Sequence, residues 1–176
     1  MKKIIILIIV IAFFSNNVHA QYTNSSEKYG KTLNIGLGMG IGNYGYTSGT
    51  IPVVHANYEF DVAKTFTLAP FISVYSYKNN YYRETIIPVG VKGFYYFDQL
   101  VNANSKWDFY LAGSLGVAIK KITYENGYDA QTTIYHGPGS LYLDFSIGTE
   151  YHFSNKIGAF IDLSGGISTI GLAFHN

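Results

Sequence analysis

The sequence contains no cysteine, which excludes a disulfide framework, a thiolate metal site, a thiol nucleophile and a lipoprotein acylation site. Charged residues are also scarce, since they make up 13% of the 176 residues, about half of the roughly 25% usual in soluble domains. The 12 basic and 11 acidic residues nearly cancel, so the chain lacks the positive charge typical of nucleic-acid-binding surfaces. The composition therefore fits neither an ordinary cytosolic protein nor a nucleic-acid-binding one.

Long apolar runs are missing after the first 20 residues. Lys2 and Lys3 precede an apolar run from Ile4 to Phe14, and a polar stretch then ends at Ala20. This order is typical of a cleavable export signal, and the apolar run is about half as long as the roughly 20 residues that a membrane-spanning helix needs. A mature chain that enters a membrane must then do so as a closed β-barrel. We predict a signal peptide at residues 1–20, an N-terminal extension at 21–31 and one barrel domain at 32–176.

The rest of the chain alternates apolar residues with small or polar ones, which is typical of β-strands. In the first segment Leu33, Ile35 and Leu37 alternate with Asn34 and Gly36. Similar segments recur, and helical periodicity of useful length is missing. The sequence therefore predicts an all-β fold with eight strands at about residues 33–42, 54–61, 66–77, 87–97, 107–119, 141–153, 157–163 and 170–174.

The connections between these strands alternate in length. Those at residues 62–65, 98–106 and 154–156 are mostly short. Three connections at the opposite end are longer and rich in Tyr, Asn and Gly; they lie at 43–50, 78–85 and 121–138. The last two strands are joined only by the short region around Gly165 and Gly166. Short periplasmic turns and long extracellular loops are expected of an outer-membrane barrel, and an even number of strands returns both termini to the periplasm.

Residue size indicates which face of the strands points outward. A soluble barrel such as a lipocalin also has one apolar face, but that face lines its interior. Here the apolar face carries rows of Leu, Ile, Phe, Tyr and Trp, which would overfill the lumen of eight strands. We therefore predict that these side chains face lipid, in an eight-stranded antiparallel up-and-down transmembrane β-barrel.

Aromatic residues support this orientation, because many lie near strand ends on the predicted periplasmic side, where an interfacial girdle belongs. The predicted girdle consists of Tyr58, Phe60, Phe66, Tyr95, Phe97, Trp107, Phe109, Tyr151 and Phe153. Tyrosines also crowd the long loops and their bases at the opposite rim, namely Tyr44, Tyr46, Tyr75, Tyr77, Tyr81, Tyr82, Tyr124, Tyr128 and Tyr135. We expect these loops to provide any recognition of an extracellular ligand.

A resemblance to a known family rests on several segments of the sequence. These are the first strand from Leu33 to Gly42, strand ends such as residues 93–97 and 151–153, and the segment 170–174. Over about residues 31–176 the chain resembles the small outer-membrane β-barrel family of the OmpA/OmpX type, also described as a porin-like outer-membrane β-barrel domain. The resemblance implies outer-membrane lipid as the surroundings and the barrel-assembly machinery as a partner during biogenesis. Family members commonly end on an aromatic residue, whereas Phe174 is followed here by His175 and Asn176.

Several charged residues fall on the predicted inward face, and an unpaired charge inside a closed lumen costs several kcal/mol. We therefore predict a polar network in the lumen, formed by Glu59, Lys92, Lys120, Asp144, Glu150 and Asp162. A gated polar path along the same residues is the alternative.

Four histidines follow the signal, namely His55, His136, His152 and His175. Their spacing does not match a metal site, although strands could bring distant histidines together, and we predict no metal or other cofactor. The segment from His152 to Asn155 is similar to the His-x-Ser-Asn segment of outer-membrane lipid A deacylases. That resemblance would make His152 the base and Ser154 the nucleophile, with an acid such as Asp162 orienting the histidine. Ser154 falls in a predicted periplasmic turn, however, and that family acts on lipid of the outer leaflet.

Together these features predict a non-enzymatic, integral outer-membrane protein with a structural or surface-interaction role and a packed polar lumen. The alternatives are a narrow porin-like channel, a soluble periplasmic lipid-binding barrel and a lipid A-modifying hydrolase.

Overall fold

Eight antiparallel strands close into a barrel in the computed structural model, which describes residues 29–40, 51–78, 82–124 and 140–176. Each strand pairs with its neighbours in sequence, and the last strand pairs with the first. The strands are β1 (Thr32–Gly40), β2 (Ile51–Ala63), β3 (Phe66–Lys78), β4 (Tyr82–Tyr96), β5 (Trp107–Tyr124), β6 (Leu141–His152), β7 (Ile157–Ser164) and β8 (Ile167–His175). The predicted eight-stranded antiparallel barrel is confirmed.

The two ends of the barrel differ in their connections. We call the end that carries the connections at 64–65, 97–106 and 153–156 the lower end, which also holds the start of β1 and the end of β8. The upper end carries the remaining connections. In the part of the chain that the structure describes, no helix is long and apolar enough to cross a membrane.

Some sequence predictions fall outside the described residues. These are the signal peptide, residues 21–28 of the extension, the loop at 43–50, most of the loop at 121–138, and the side chains of Tyr44, Tyr46, Tyr81, Tyr128, Tyr135 and His136.

The prediction of a long loop at residues 78–85 is wrong. β3 and β4 continue to pair in this region, where Lys78 lies opposite Arg83 in the ladder, and only residues 79–81 separate the strands. The polarity of this segment indicated a loop. The pairing of two strands is held by backbone hydrogen bonds, however, which do not depend on apolar side chains. Polar side chains at a barrel end are solvated by water, so the strands continue there. For the same reason β5 continues to Tyr124.

The two faces of the barrel wall are chemically distinct, as the alternation indicated. The outer face carries large apolar side chains that are widely exposed, including Leu37, Leu115 and Phe145, the last of which is 77% exposed. The inner face carries buried polar and charged side chains together with aromatic rings; its buried charged groups include Glu59 and Lys92.

Two apolar clusters fill the lumen, and polar groups lie between them. The lower cluster consists of Tyr29, Ala69, Phe94, Tyr96, Tyr110 and Ala112. The upper cluster consists of Val53, Phe71, Tyr75, Ile86, Tyr142 and Ile167. Aromatic contacts join strands within each cluster, such as the rings of Phe71 and Tyr142, whose centroids are 5.6 Å apart.

Glycines on the inner face allow this filling because they permit close approach of backbones and rings. At the seam that closes the barrel, Gly36 lies opposite Gly171, and a Cβ on Gly171 would collide with the backbone carbonyl of Ile35. Gly148 plays a different part, since a Cβ there would collide with the ring of Tyr110. Glycine therefore makes room for the large rings that close the lumen.

Candidate functional site

The lower half of the lumen is organised around the buried carboxylate of Glu59 on β2, which is 2% exposed. Asn34 Nδ2 on β1 donates a hydrogen bond of 2.6 Å to Glu59 Oε1. Thr67 Oγ1 on β3 and Tyr96 Oη on β4 each donate one of 2.7 Å to Oε2. Four neighbouring strands are thus tied together by one acid, whose oxygens are satisfied by neutral donors rather than by a cation.

An ion pair crosses the lumen between β4 and β7. Lys92 Nζ donates to Asp162 Oδ2, and the two side chains are 7% and 5% exposed. Nζ also lies 5.0 Å from the centroid of the Phe94 ring. Among the described residues, Asp162 Oδ1 has no hydrogen-bond partner, so the stability of this buried carboxylate depends on Lys92.

The six residues of the predicted lumen network do not form one network in the described part of the chain. Glu59 and the Lys92–Asp162 pair have the separate partners given above. Asp144 lies at the upper end, where its Oδ2 accepts a hydrogen bond of 2.9 Å from Ser164 Oγ. Lys120 lies on the inner face of upper β5, and its side chain makes no hydrogen bond or ion pair with a described residue.

Glu150, the sixth residue, belongs to a group of histidines at the lower end. Its Oε1 lies 2.7 Å from His175 Nε2 and 3.7 Å from His152 Nδ1. The second nitrogen of each ring has its own partner: His152 Nε2 lies 2.8 Å from Asp108 Oδ2, and His175 Nδ1 lies 2.9 Å from Thr32 Oγ1. Sequence spacing did not reveal this group, because its members come from β1, β5, β6 and β8.

Tyr29, which precedes β1, is a second feature that sequence reasoning missed. Its side chain is buried in the lower mouth of the barrel, where its ring stacks on Tyr96 at 3.9 Å between centroids. Its hydroxyl donates to Asp98, with distances of 3.0 and 3.1 Å to the two carboxylate oxygens. The residue lies in the predicted extension outside the alternating pattern, so no periodic signal marked it.

The aromatic residues of the predicted girdle lie at the lower ends of β2 to β6 and in the adjoining turns. Trp107 contacts Tyr151 across the strand pair, with ring centroids 4.8 Å apart, and Tyr151 in turn contacts Phe153 at 5.5 Å. Contact of this girdle with a membrane interface stays a prediction. At the upper end, Tyr75 and Tyr82 turn inward and are buried rather than exposed at the rim.

The hydrolase-like segment serves ordinary structural roles. Ser154 Oγ accepts hydrogen bonds of 3.2 Å from the backbone N–H groups of Lys156 and Ile157, which stabilise the turn between β6 and β7. Asp162, which the resemblance cast as the orienting acid, pairs with Lys92. Asp162 therefore does not orient His152, whose Nε2 lies 2.8 Å from Asp108 Oδ2 instead.

Comparison with known proteins gives the same architecture. No protein-family model and no curated protein matches the chain. Among solved structures, Neisserial surface protein A is similar with a TM-score of 0.55 and 14% identity, over 82% of this chain and 96% of the other. The chain shares the fold of small outer-membrane β-barrels. A designed transmembrane β-barrel is similar with a TM-score of 0.46 and 13% identity, over 85% of this chain and 98% of the other. The attachment invasion locus protein Ail of Yersinia pestis is similar with a TM-score of 0.48 and 9% identity, over 81% of this chain and 95% of the other.

Proposed function

We propose that this chain is an integral outer-membrane β-barrel protein without enzymatic activity, exported by a cleavable signal, with a structural or surface-interaction role. The observation that carries this proposal is the distribution of polarity across the barrel wall. Large apolar side chains cover the outer face of all eight strands, whereas the inner face buries charges.

The outer face is suited to lipid rather than water. Its exposed apolar residues occur on every strand, from Leu37 on β1 to Ile170 on β8, so they form a continuous band around the barrel. Soluble monomers rarely expose contiguous apolar patches larger than a few hundred Å². A soluble lipid-binding barrel would place such residues inside, around an open cavity, which is the reverse of this arrangement.

The lumen is suited to mechanical support rather than transport. The Lys92–Asp162 pair spans it at mid-height, and the stacked rings of Tyr29 and Tyr96 fill its lower mouth. Eight strands enclose a lumen just wide enough for side chains to fill. We therefore assign any interaction with extracellular molecules to the upper loops, and we assign no transport role to the lumen.

Enzymatic activity forms no part of the proposal, because the serine of the one hydrolase-like segment has a structural role in a turn. The Ser154 hydroxyl accepts backbone hydrogen bonds in the turn between β6 and β7, and in the described part of the chain no hydrogen bond joins it to His152. A nucleophilic serine needs its base within hydrogen-bond reach.

Fractionation of cells that express the chain tests the membrane assignment. We expect the protein in the outer membrane, resistant to carbonate extraction, beginning at Gln21 and migrating differently on gels before and after boiling. A soluble periplasmic protein from the same cells is the control and should be released by carbonate. Recovery mainly in the soluble periplasmic fraction would refute the proposal.

Electrical recording tests the closed lumen. Purified protein in planar bilayers should show no large stable conductance steps, and liposomes that contain it should not admit sugars. The matched variant is Ser114→Phe, which adds a ring to the inner face of β5 at a position that already carries a Cβ. Stable steps in the original protein that this variant abolishes would establish the channel alternative instead.

A further inference from the structure

Three potential metal ligands converge inside the lower end of the barrel. Glu150 and His152 are two residues apart on the inward face of β6, and His175 ends β8. β7 lies between these strands and contributes Gly158, where a Cβ would collide with Glu150 Oε1. The missing side chain lets the carboxylate reach across β7 to His175.

The spacing of the ligand atoms suits a small cation. Glu150 Oε1, one nitrogen of His152 and one of His175 all lie within 4.8 Å of one another. In a tetrahedral site with metal–ligand bonds of about 2.0–2.1 Å, ligand atoms are about 3.3 Å apart. The two distances from Glu150 Oε1, 2.7 Å to His175 and 3.7 Å to His152, lie on either side of this value.

The outer partners determine which nitrogen of each ring carries a proton. Thr32 Oγ1 donates its only hydrogen to the carbonyl of Tyr29 at 2.9 Å, so it must accept from His175 Nδ1. Asp108 accepts from His152 Nε2 at 2.8 Å. In the neutral rings, His175 Nε2 and His152 Nδ1 then direct lone pairs toward Glu150.

Three lone-pair-bearing atoms that face one another repel unless positive charge lies among them. Two protons or one divalent cation would supply it. Histidines that bind metal commonly donate their second ring nitrogen to a carboxylate, a backbone carbonyl or water, and Asp108 forms such a contact with His152. The atoms that face one another therefore serve as the metal ligands, and the contacts on the far side of each ring hold the imidazoles in position.

A cavity adjoins the His152 side of the group. It has a volume of about 350 Å³, is lined by His152 and Asp108 on one side, and is bordered by exposed turn residues such as Ser105 and Asn155. The cavity thus opens at the lower end of the barrel. Three protein ligands leave a fourth position that water occupies in zinc sites of this kind.

We propose that Glu150, His152 and His175 bind a divalent transition-metal ion at the lower end of the lumen. Two imidazoles, one carboxylate and an open fourth position match zinc, whereas magnesium and calcium prefer sites made wholly of oxygen. If the membrane proposal holds, this site opens to the periplasm.

Zinc titration of the full chain tests the site, using protein refolded in detergent and carrying no polyhistidine tag. Competition with a fluorescent chelator should show one zinc ion per chain and no competition by calcium. Glu150→Gln, His152→Gln and His175→Gln should each weaken binding at least tenfold. Asp108→Asn, which touches no metal in this arrangement, should weaken it about 10- to 100-fold by releasing the His152 ring.

Asp144→Asn is the matched control, since it neutralises another lumen acid at the opposite end of the barrel and should leave zinc affinity unchanged. His55→Gln controls for removal of a lumen histidine. X-ray absorption of the zinc complex should show only nitrogen and oxygen ligands at about 2.0–2.1 Å, with imidazole scattering. Each variant is first checked by its unboiled gel mobility, and His152→Gln, whose side chain is 23% exposed, is the least disruptive to folding.

The proposal is overturned if zinc does not bind at millimolar concentration. It is equally overturned if binding persists in His152→Gln and His175→Gln, or falls as much in Asp144→Asn as in Glu150→Gln. Because the titration uses detergent-refolded protein, its result is independent of the fractionation that tests the membrane assignment.

Discussion

Replacing Lys92 by methionine is expected to lower the free energy of unfolding by about 3–5 kcal/mol, because Asp162 then stays buried without its cation. The second oxygen of that carboxylate has no hydrogen-bond partner among the described residues. Unfolding by urea in lipid vesicles can be followed through the fluorescence of Trp107, the single tryptophan of the sequence.

A double-mutant cycle separates the ion pair from general packing. Asp162→Asn should also destabilise the barrel, and Lys92→Met combined with Asp162→Asn should lose much less than the sum of the two single changes. Lys64→Met removes an exposed lysine from the turn between β2 and β3 and should change stability by less than about 0.5 kcal/mol. If Lys92→Met behaves like Lys64→Met, the pair does not stabilise the lumen.

Substituting Leu143 by arginine is expected to cost about 2–4 kcal/mol when the barrel is in lipid, because this residue lies on the outer face. Leu143 is 48% exposed and pairs with Leu115, which is also widely exposed, on neighbouring β5. The measurement is again the free energy of unfolding in vesicles. The matched control is Phe153→Arg in the lower turn, for which the cost at the membrane interface falls to about 0–1 kcal/mol.

Spin labels give the same comparison without adding charge. Labels at Leu143 and Phe145 should be accessible to a lipid-soluble relaxation agent, whereas labels at Asp144 and Ser146 should not. The opposite pattern of access would show that the barrel wall is oriented inside out. Equal costs of Leu143→Arg and Phe153→Arg would argue against a hydrocarbon band around β6.

The sequence by itself predicted the fold because alternation is local. The side chain at each position of a strand points to the face opposite that of its neighbour, so Leu33 and Asn34 reveal their faces without knowledge of the rest of the chain. Residue size then excluded an inward apolar face, since eight strands cannot enclose rows of Leu, Ile and Phe. These arguments gave the number of strands, their pairing order and the orientation of the wall.

Strand length was less predictable, because polarity was taken as the sign of a loop. The ladder between β3 and β4 continues through Lys78 and Arg83, where backbone hydrogen bonding needs no apolar side chain.

Only the tertiary structure decided which lumen residues meet. Lys92 and Asp162 are 70 residues apart, and His175 and Glu150 are 25 apart on strands that are not adjacent. Their contact depends on strand register and on the height of each residue within the barrel, which alternation leaves undetermined. Alternation assigns a side chain to the lumen, but barrel closure, together with the space left at Gly158, determines its partner.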